Sequence, residues 1–193
     1  MSKPHLQPGR GPYTQEHTQR WSRTIGLGQA YVFMVPEYNH RPIGLKRKES
    51  TTVLSLTQSS DIVDAALSKA RELELRPLTI TVLDPGGHPV VVKREDGAGI
   101  LRPQIAHAKA WGCLGTGAGG AAGARHATRD PAFFAALAAI SDGRIASSRG
   151  GVLIRDAEGN LLGSIGVSGD RPENDEACAV AGVESVGLVA DAG

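Results

Sequence analysis

Aromatic side chains are scarce in this chain, at 4% of 193 residues. A core built without them relies on Ala, Val, Leu and Ile within the 40% hydrophobic content, and 25 glycines imply tight turns or close packing. An excess of charge of one sign is missing too. The formal net charge of +1 supplies no field to recruit nucleic acid or an anionic membrane, so neither partner is expected. No apolar run approaches the ~20 residues that a membrane span requires. Cysteine is limited to Cys113 and Cys178, without metal-type spacing, and nothing at the N-terminus reads as a secretory segment. The expectation is a reducing, cytoplasmic setting in which both thiols are small buried side chains. One domain with an appendage fits this length better than two full domains.

Residues 1–12 carry prolines, glycines and polar residues without period and read as a mobile tail. A short helix over Thr14–Ile25 follows, then a strand over Gln29–Val35. Arg47–Thr52 is charged and polar, a linker that divides an N-terminal extension, 1–52, from a main domain, 53–193. Thr57 is the expected N-cap of the domain's first helix, in which Ile62, Val63, Ala66, Leu67, Ala70 and Leu73 recur on one face. Leu78, Ile80 and Val82 alternate with Thr79 and Thr81, Asp84-Pro85-Gly86-Gly87 turns the chain, and Val90–Val92 returns it as a hairpin.

A helix opens near Pro103 and continues through Trp111, after which Gly115–Gly123 dissolves into a loop of small residues, with His126 in that loop. Asp130 and Pro131 start another helix, with Phe133, Phe134, Leu137 and Ile140 as its apolar face and Gly143 as its end. Val152–Ile154, the turn Asp156–Asn160 and Leu161–Val167 form a second hairpin, where Gly163 and Gly166 leave space against one face. Ser168-Gly169-Asp170 then leads into a last helix, Asp170 and Glu173 being spaced as an N-cap and its reciprocal acid. Backbone N–H groups at such a junction suit a carboxylate or phosphate, although the same residues satisfy a helix cap unaided. Helices and hairpins in this order add up to an α+β domain, an antiparallel sheet with helices on its faces.

Two resemblances refine the reading. Trp21-Ser22, Ala30–His40 with its Pro36-Glu37-Tyr38-Asn39 loop, Pro42 and Leu45-Lys46 resemble the middle of the NADPH-dependent FMN reductase family, a flavodoxin-like fold whose corresponding loop lies beside the flavin. The first strand and phosphate-gripping loop are missing and the sequence departs after Lys46, so residues 13–46 read as a truncated remnant.

From Leu56 onward the chain resembles the GlcG/HbpS haem-binding family, also found as the C-terminal domain of some PduO-type cobalamin adenosyltransferases. The matching pieces are Leu56-Thr57, Val82–His88, Arg94–Ala98, Ala108-Lys109-Ala110-Trp111, Gly150-Gly151-Val152, Gly163–Gly169 and Asn174–Ala177. The resemblance implies a three-layer α/β/α fold with profilin-like layering and assembly into homo-oligomers. In some members it implies haem or a corrinoid bound between subunits, and it implies no reaction, which favours a binding protein over an enzyme. Haem needs an axial donor, cationic or N–H partners for its propionates, and apolar walls. Where haem-binding relatives commonly have threonine, Gly112 follows Trp111. His107, four residues before Trp111 and on its helix face, is the expected replacement donor and the one expected metal ligand, with His88 next.

Arg94 and Lys109 are the expected propionate partners unless they are simply solvated, and Ser168, Gly169 and Asp170 the expected anion-binding turn. The expected function is a haem carrier, sensor or accessory protein, with a corrinoid or FMN as lesser cofactor readings. Two alternatives accompany it: an enzyme or accessory factor acting on a small carboxylate such as glycolate at the Ser168–Asp170 turn, and a flavin-linked oxidoreductase remnant. A cation site at Asp170, Glu173, Asp175 and Glu176, a ligand role for His126, and a hydrolytic role for Ser168 rank lower.

Overall fold

The computed structural model describes residues 53–193. The expected tail, helix, strand, flavin-reductase-like segment and linker of residues 1–52 lie outside the described residues. Five helices and five strands follow in the order α1 (Leu56–Glu72), β1 (Thr79–Leu83), β2 (Pro89–Arg94), α2 (Arg102–Thr116), α3 (Gly120–Arg129), α4 (Pro131–Ile140), β3 (Gly151–Arg155), β4 (Leu161–Ser168), α5 (Pro172–Ser185) and β5 (Val189–Asp191). The sheet order is β2-β1-β4-β3-β5, with every neighbouring pair antiparallel. The two expected hairpins become neighbours because β1 pairs with β4 from Thr79↔Ser168 to Leu83↔Ser164.

Strand alternation divides the sheet into two unlike faces. Ile80, Val82, Val152, Ile154, Ile165 and Val167 join Ile62, Val63, Ala66 and Ala70 of α1 and Cys178, Ala179 and Val183 of α5 in one aliphatic core. The opposite face, under α2, is paved with small residues. A methyl group at Gly166 would overlap the Ala106 carbonyl, one at Gly151 would lie 2.6 Å from the Lys109 carbonyl, and Ser164 Oγ donates to the Ala110 carbonyl at 3.0 Å. Helix α2 thus rests almost on the sheet backbone. Helices α1 and α5 cover one face and α2 the other, the three-layer architecture expected from the sequence.

Several local expectations need correction. The cap of α1 is Ser55, whose Oγ accepts from Gln58 N at 3.1 Å while Gln58 Oε1 accepts from Ser55 N at 3.2 Å. Thr57 is already inside the helix, and its third neighbour, Ser60, cannot supply the reciprocal acceptor. Asp170 does not cap α5, because Pro172 takes the first helical position and makes Arg171 the N-cap. The segment Gly120–Arg129 is helix α3, so His126 sits exposed on a helix and not in a loop. Gly120 serves close approach: a methyl there would overlap the Ser148 carbonyl. The chain also ends in an unforeseen strand, β5, pinned to β3 by Arg155 Nε and Asp191 Oδ2 at 2.9 Å.

Candidate functional site

Helix α2 carries His107 on the side facing β1 and β2, and there an open depression of about 420 Å³ is lined by Thr81, Val92, Pro103, Gln104, His107, Ala108, Gly143 and Arg144. Thr81 projects from the small-residue face of β1, is 1% exposed, and its hydroxyl has no hydrogen-bond partner within the protein. A buried hydroxyl left alone costs free energy, so a ligand atom at this floor is physically favoured. Burial first, and the nearby Arg144 guanidinium second, hold His107 below its usual range. Its imidazole is therefore neutral at neutral pH, the form in which a ring nitrogen donates to a metal.

One turn along α2, Trp111 lies beneath the β1–β2 turn. Gly87, at φ +82°, makes room there: an added Cβ would stand 3.0 Å from the Trp111 Cδ1 and Nε1 atoms. Arg144 closes the other side, its Cζ 4.7 Å from the indole centroid. His107, Trp111 and Arg144 thus form one continuous surface. Gly112 faces inward against the chain that carries Arg144, and a Cβ there would be 2.9 Å from Ile145 Cγ1. A threonine at that position would have to displace the Ile145 side chain.

The other expected site residues lie elsewhere. His88 is 79% exposed on the hairpin turn, where its Nδ1 is 3.3 Å from Asp84 Oδ1 and its amide donates to the same oxygen at 2.9 Å. Arg94 folds back on its own loop and donates to the Ala98 carbonyl. Lys109 is neither solvated nor free for a propionate, because its ammonium is buried and donates to Asp175 Oδ2 at 2.8 Å and to the Val167 carbonyl at 2.9 Å.

The Ser168–Asp170 turn is equally committed. Ser168 Oγ is buried and accepts from Arg102 at 3.2 Å, and Gly169 is pressed against Leu78 and the Pro77 carbonyl. Asp170 accepts from Arg171 N, Asn174 Nδ2 and both Arg76 N and Nε, which hold its carboxyl well below the usual range. Its own amide donates to Asp175 Oδ1 at 3.0 Å. An anion arriving at this turn meets the Asp170 carboxylate, and the amides of Asp170 and Arg171 are already donated to carboxylates. Among the described residues no group of three or more His, Cys, Asp or Glu is placed to hold a metal ion, and no helix is long and apolar enough to cross a membrane. Burial pushes the Cys113 thiol up to about 12 and Cys178 up to about 11, which leaves both unreactive.

Sequence reasoning did not find Thr81 or Arg144. Thr81 carries only the alternation of a half-buried strand, and Arg144 follows a turn far from α2. The signal for Arg144 was indirect: Gly112, inside a helix, marks a close backbone neighbour.

A five-stranded antiparallel sheet between helical layers, with this depression at its β2 edge, defines a three-layer α/β/α domain of the GlcG/HbpS type. The family described as haem degrading protein HbpS-like matches residues 54–184, and the chain belongs to it. Among solved structures, a PduOC:haem complex is similar over 72% of this chain and 99% of that one, with a TM-score of 0.65 at 22% identity. HbpS of Streptomyces reticuli, as a double mutant, aligns over 69% of this chain and 87% of that one at TM-score 0.61 and 27% identity. Protein ORFY of Klebsiella pneumoniae gives 0.60 at 24% identity, over 68% and 88% of the two chains. Separately, 36 residues are 44% identical to the NAD(P)H-dependent FMN reductase ntnL of Nectria sp., a stretch that spans 19% of this chain and 18% of that relative.

Proposed function

We propose that this domain binds haem in the depression beside His107 and serves as a carrier, sensor or accessory protein in a homo-oligomer. The observation that carries the reading is the pairing of a neutral imidazole with an orphaned, buried hydroxyl in one apolar-walled recess. His107 would supply the axial donor, Arg144 would meet a propionate, and Val92, Pro103 and Ala108 would contact the macrocycle. Bound haem supplies a metal centre with redox and ligand-binding chemistry. Because the depression is open, a second subunit is the natural cover for the outer face. The small-carboxylate reading loses its support, since the groups expected to hold the carboxylate are bonded to one another.

Titrating hemin into the purified full chain tests this, with a saturable Soret band as the expected result. Absence of saturation contradicts it. A stable band assigns carriage or sensing, whereas a saturable band that bleaches under reductant and oxygen keeps the binding site but assigns haem breakdown. The pH dependence has a definite sign. A proton competes with iron for His107, so affinity is expected to stay flat from about pH 8 to 6.5. It then falls about tenfold per unit below the imidazole's depressed pKa.

A further inference from the structure

We propose that Thr81 is the acceptor that holds the His107 ring in place when the histidine donates to a metal. The inference rests on the haem reading of the same depression and adds a positioning residue to it. Strand β1 turns Ile80 and Val82 into the aliphatic core, and its alternation turns Thr79 and Thr81 to the face under α2. Both threonines are buried, and neither hydroxyl has a hydrogen-bond partner among the described residues. Of the two, Thr81 lines the depression together with His107.

Strand register sets Thr81 under the flank of α2 that carries the histidine. Thr81 pairs with Gly166 of β4, and Gly166 lies against the Ala106 carbonyl, where α2 touches the sheet. Thr81 is thus one strand spacing, about 4.8 Å, to the side of that contact. The next residue of the helix, His107, is turned to the same side.

The chemistry of the ring selects the partner. A neutral imidazole that gives one nitrogen to a metal keeps a proton on the other, and that N–H needs an acceptor to fix the tautomer and the ring plane. Among the side chains near His107, Arg144 and Trp111 offer only N–H donors. Gln104 carries a carbonyl, but it is exposed and water serves it. The Thr81 hydroxyl gains most from the ring N–H, because burial keeps water away from it. Its own proton remains for a polar atom of the ligand. Valine has the shape of threonine, so the hydroxyl adds nothing to packing here. It destabilises the chain by itself and contributes only when the ring turns to it.

Thr81→Val, Thr81→Ser, Thr79→Val and His107→Ala in the full chain test the inference. Without hemin, Thr81→Val is expected to raise the melting temperature by about 2–5 °C, since it removes an unpaired hydroxyl and keeps the shape. In a hemin titration the same variant is expected to raise Kd about tenfold, as loss of a ligating histidine's partner does. A packing role would move stability and affinity together, whereas positioning moves them in opposite directions. Thr81→Ser keeps the hydroxyl and should bind hemin within about threefold of native. Thr79→Val is the control, stabilising the chain without changing Kd. On top of His107→Ala, Thr81→Val should add nothing to Kd, because its action passes through the ring.

A lowered melting temperature in Thr81→Val overturns the inference, as does a native Kd or a further tenfold loss in the His107→Ala background. Saturation of the native chain with Thr81→Val unchanged removes this inference alone. Failure of the native chain to saturate removes the haem reading with it.

Discussion

Lys109→Met is expected to lower the unfolding free energy by about 3 to 5 kcal/mol. The ammonium it removes is buried between α2 and α5, 2.8 Å from Asp175 and 2.9 Å from the Val167 carbonyl. Asp175 would then remain buried with only backbone amides for company, those of Asp170 and Gly169. Burial already pushes the Asp175 carboxyl up, and the pull of Lys109 offsets this only in part. The pair is therefore costly to break rather than strongly stabilising, and Lys109→Met combined with Asp175→Leu is expected to recover most of the loss.

The pH dependence of the single variant follows with a fixed sign. A carboxyl whose folded pKa lies above its unfolded value destabilises the fold when ionised and ceases to do so when protonated. The deficit of Lys109→Met is thus largest at neutral pH and shrinks as pH falls through the raised Asp175 pKa. Urea denaturation at several pH values reads this directly, and a deficit that grows in acid contradicts it.

Gly166→Ala is expected to cost about 3 kcal/mol, by overpacking at a place where nothing can yield. The new methyl would overlap the Ala106 carbonyl and stand 2.9 Å from the Ala110 amide. Both belong to the backbone of α2, so the whole helix would have to lift from the sheet. Ala substitution at Gly123 of α3, where nothing lies within 4 Å, is the control and is expected to be neutral or slightly stabilising. Equal thermal shifts at the two positions would contradict the claim that α2 rests on the strand backbone.

The architecture was legible in the sequence wherever periodicity was strong. Ile62, Val63, Ala66 and Ala70 announced α1 by spacing, the Asp84–Gly87 and Asp156–Asn160 turns announced both hairpins, and Asp130-Pro131 announced α4, whose carboxylate accepts from Phe133 N at 3.0 Å. Helix α3 was missed because its two glycines, Gly120 and Gly123, read as a loop, although its alanines and its Arg125, His126 and Arg129 segregate to different faces of a helix. Strand β5 is three residues long and exists through pairing with β3. At the site, His107 and Trp111 could be joined by their four-residue spacing within α2. The fate of Lys109 depended on Asp175, 66 residues away, and a charged residue in a helix reads as solvated until its partner is seen. The Ser168–Asp170 turn displayed the residue types of an anion site, but Arg76 and Asn174 had already filled its bonding capacity.

The central claim is that one imidazole on α2 is the haem donor, and the direct measurement is a hemin titration of the native chain beside His107→Ala at matched subunit mass. Second-sphere losses alone cost metal sites 10–100-fold in affinity, so removal of the donor itself is expected to raise Kd by about 100-fold and to abolish the ligand-dependent shift of the Soret band. An unchanged Kd and an unchanged spectrum in His107→Ala would contradict the account.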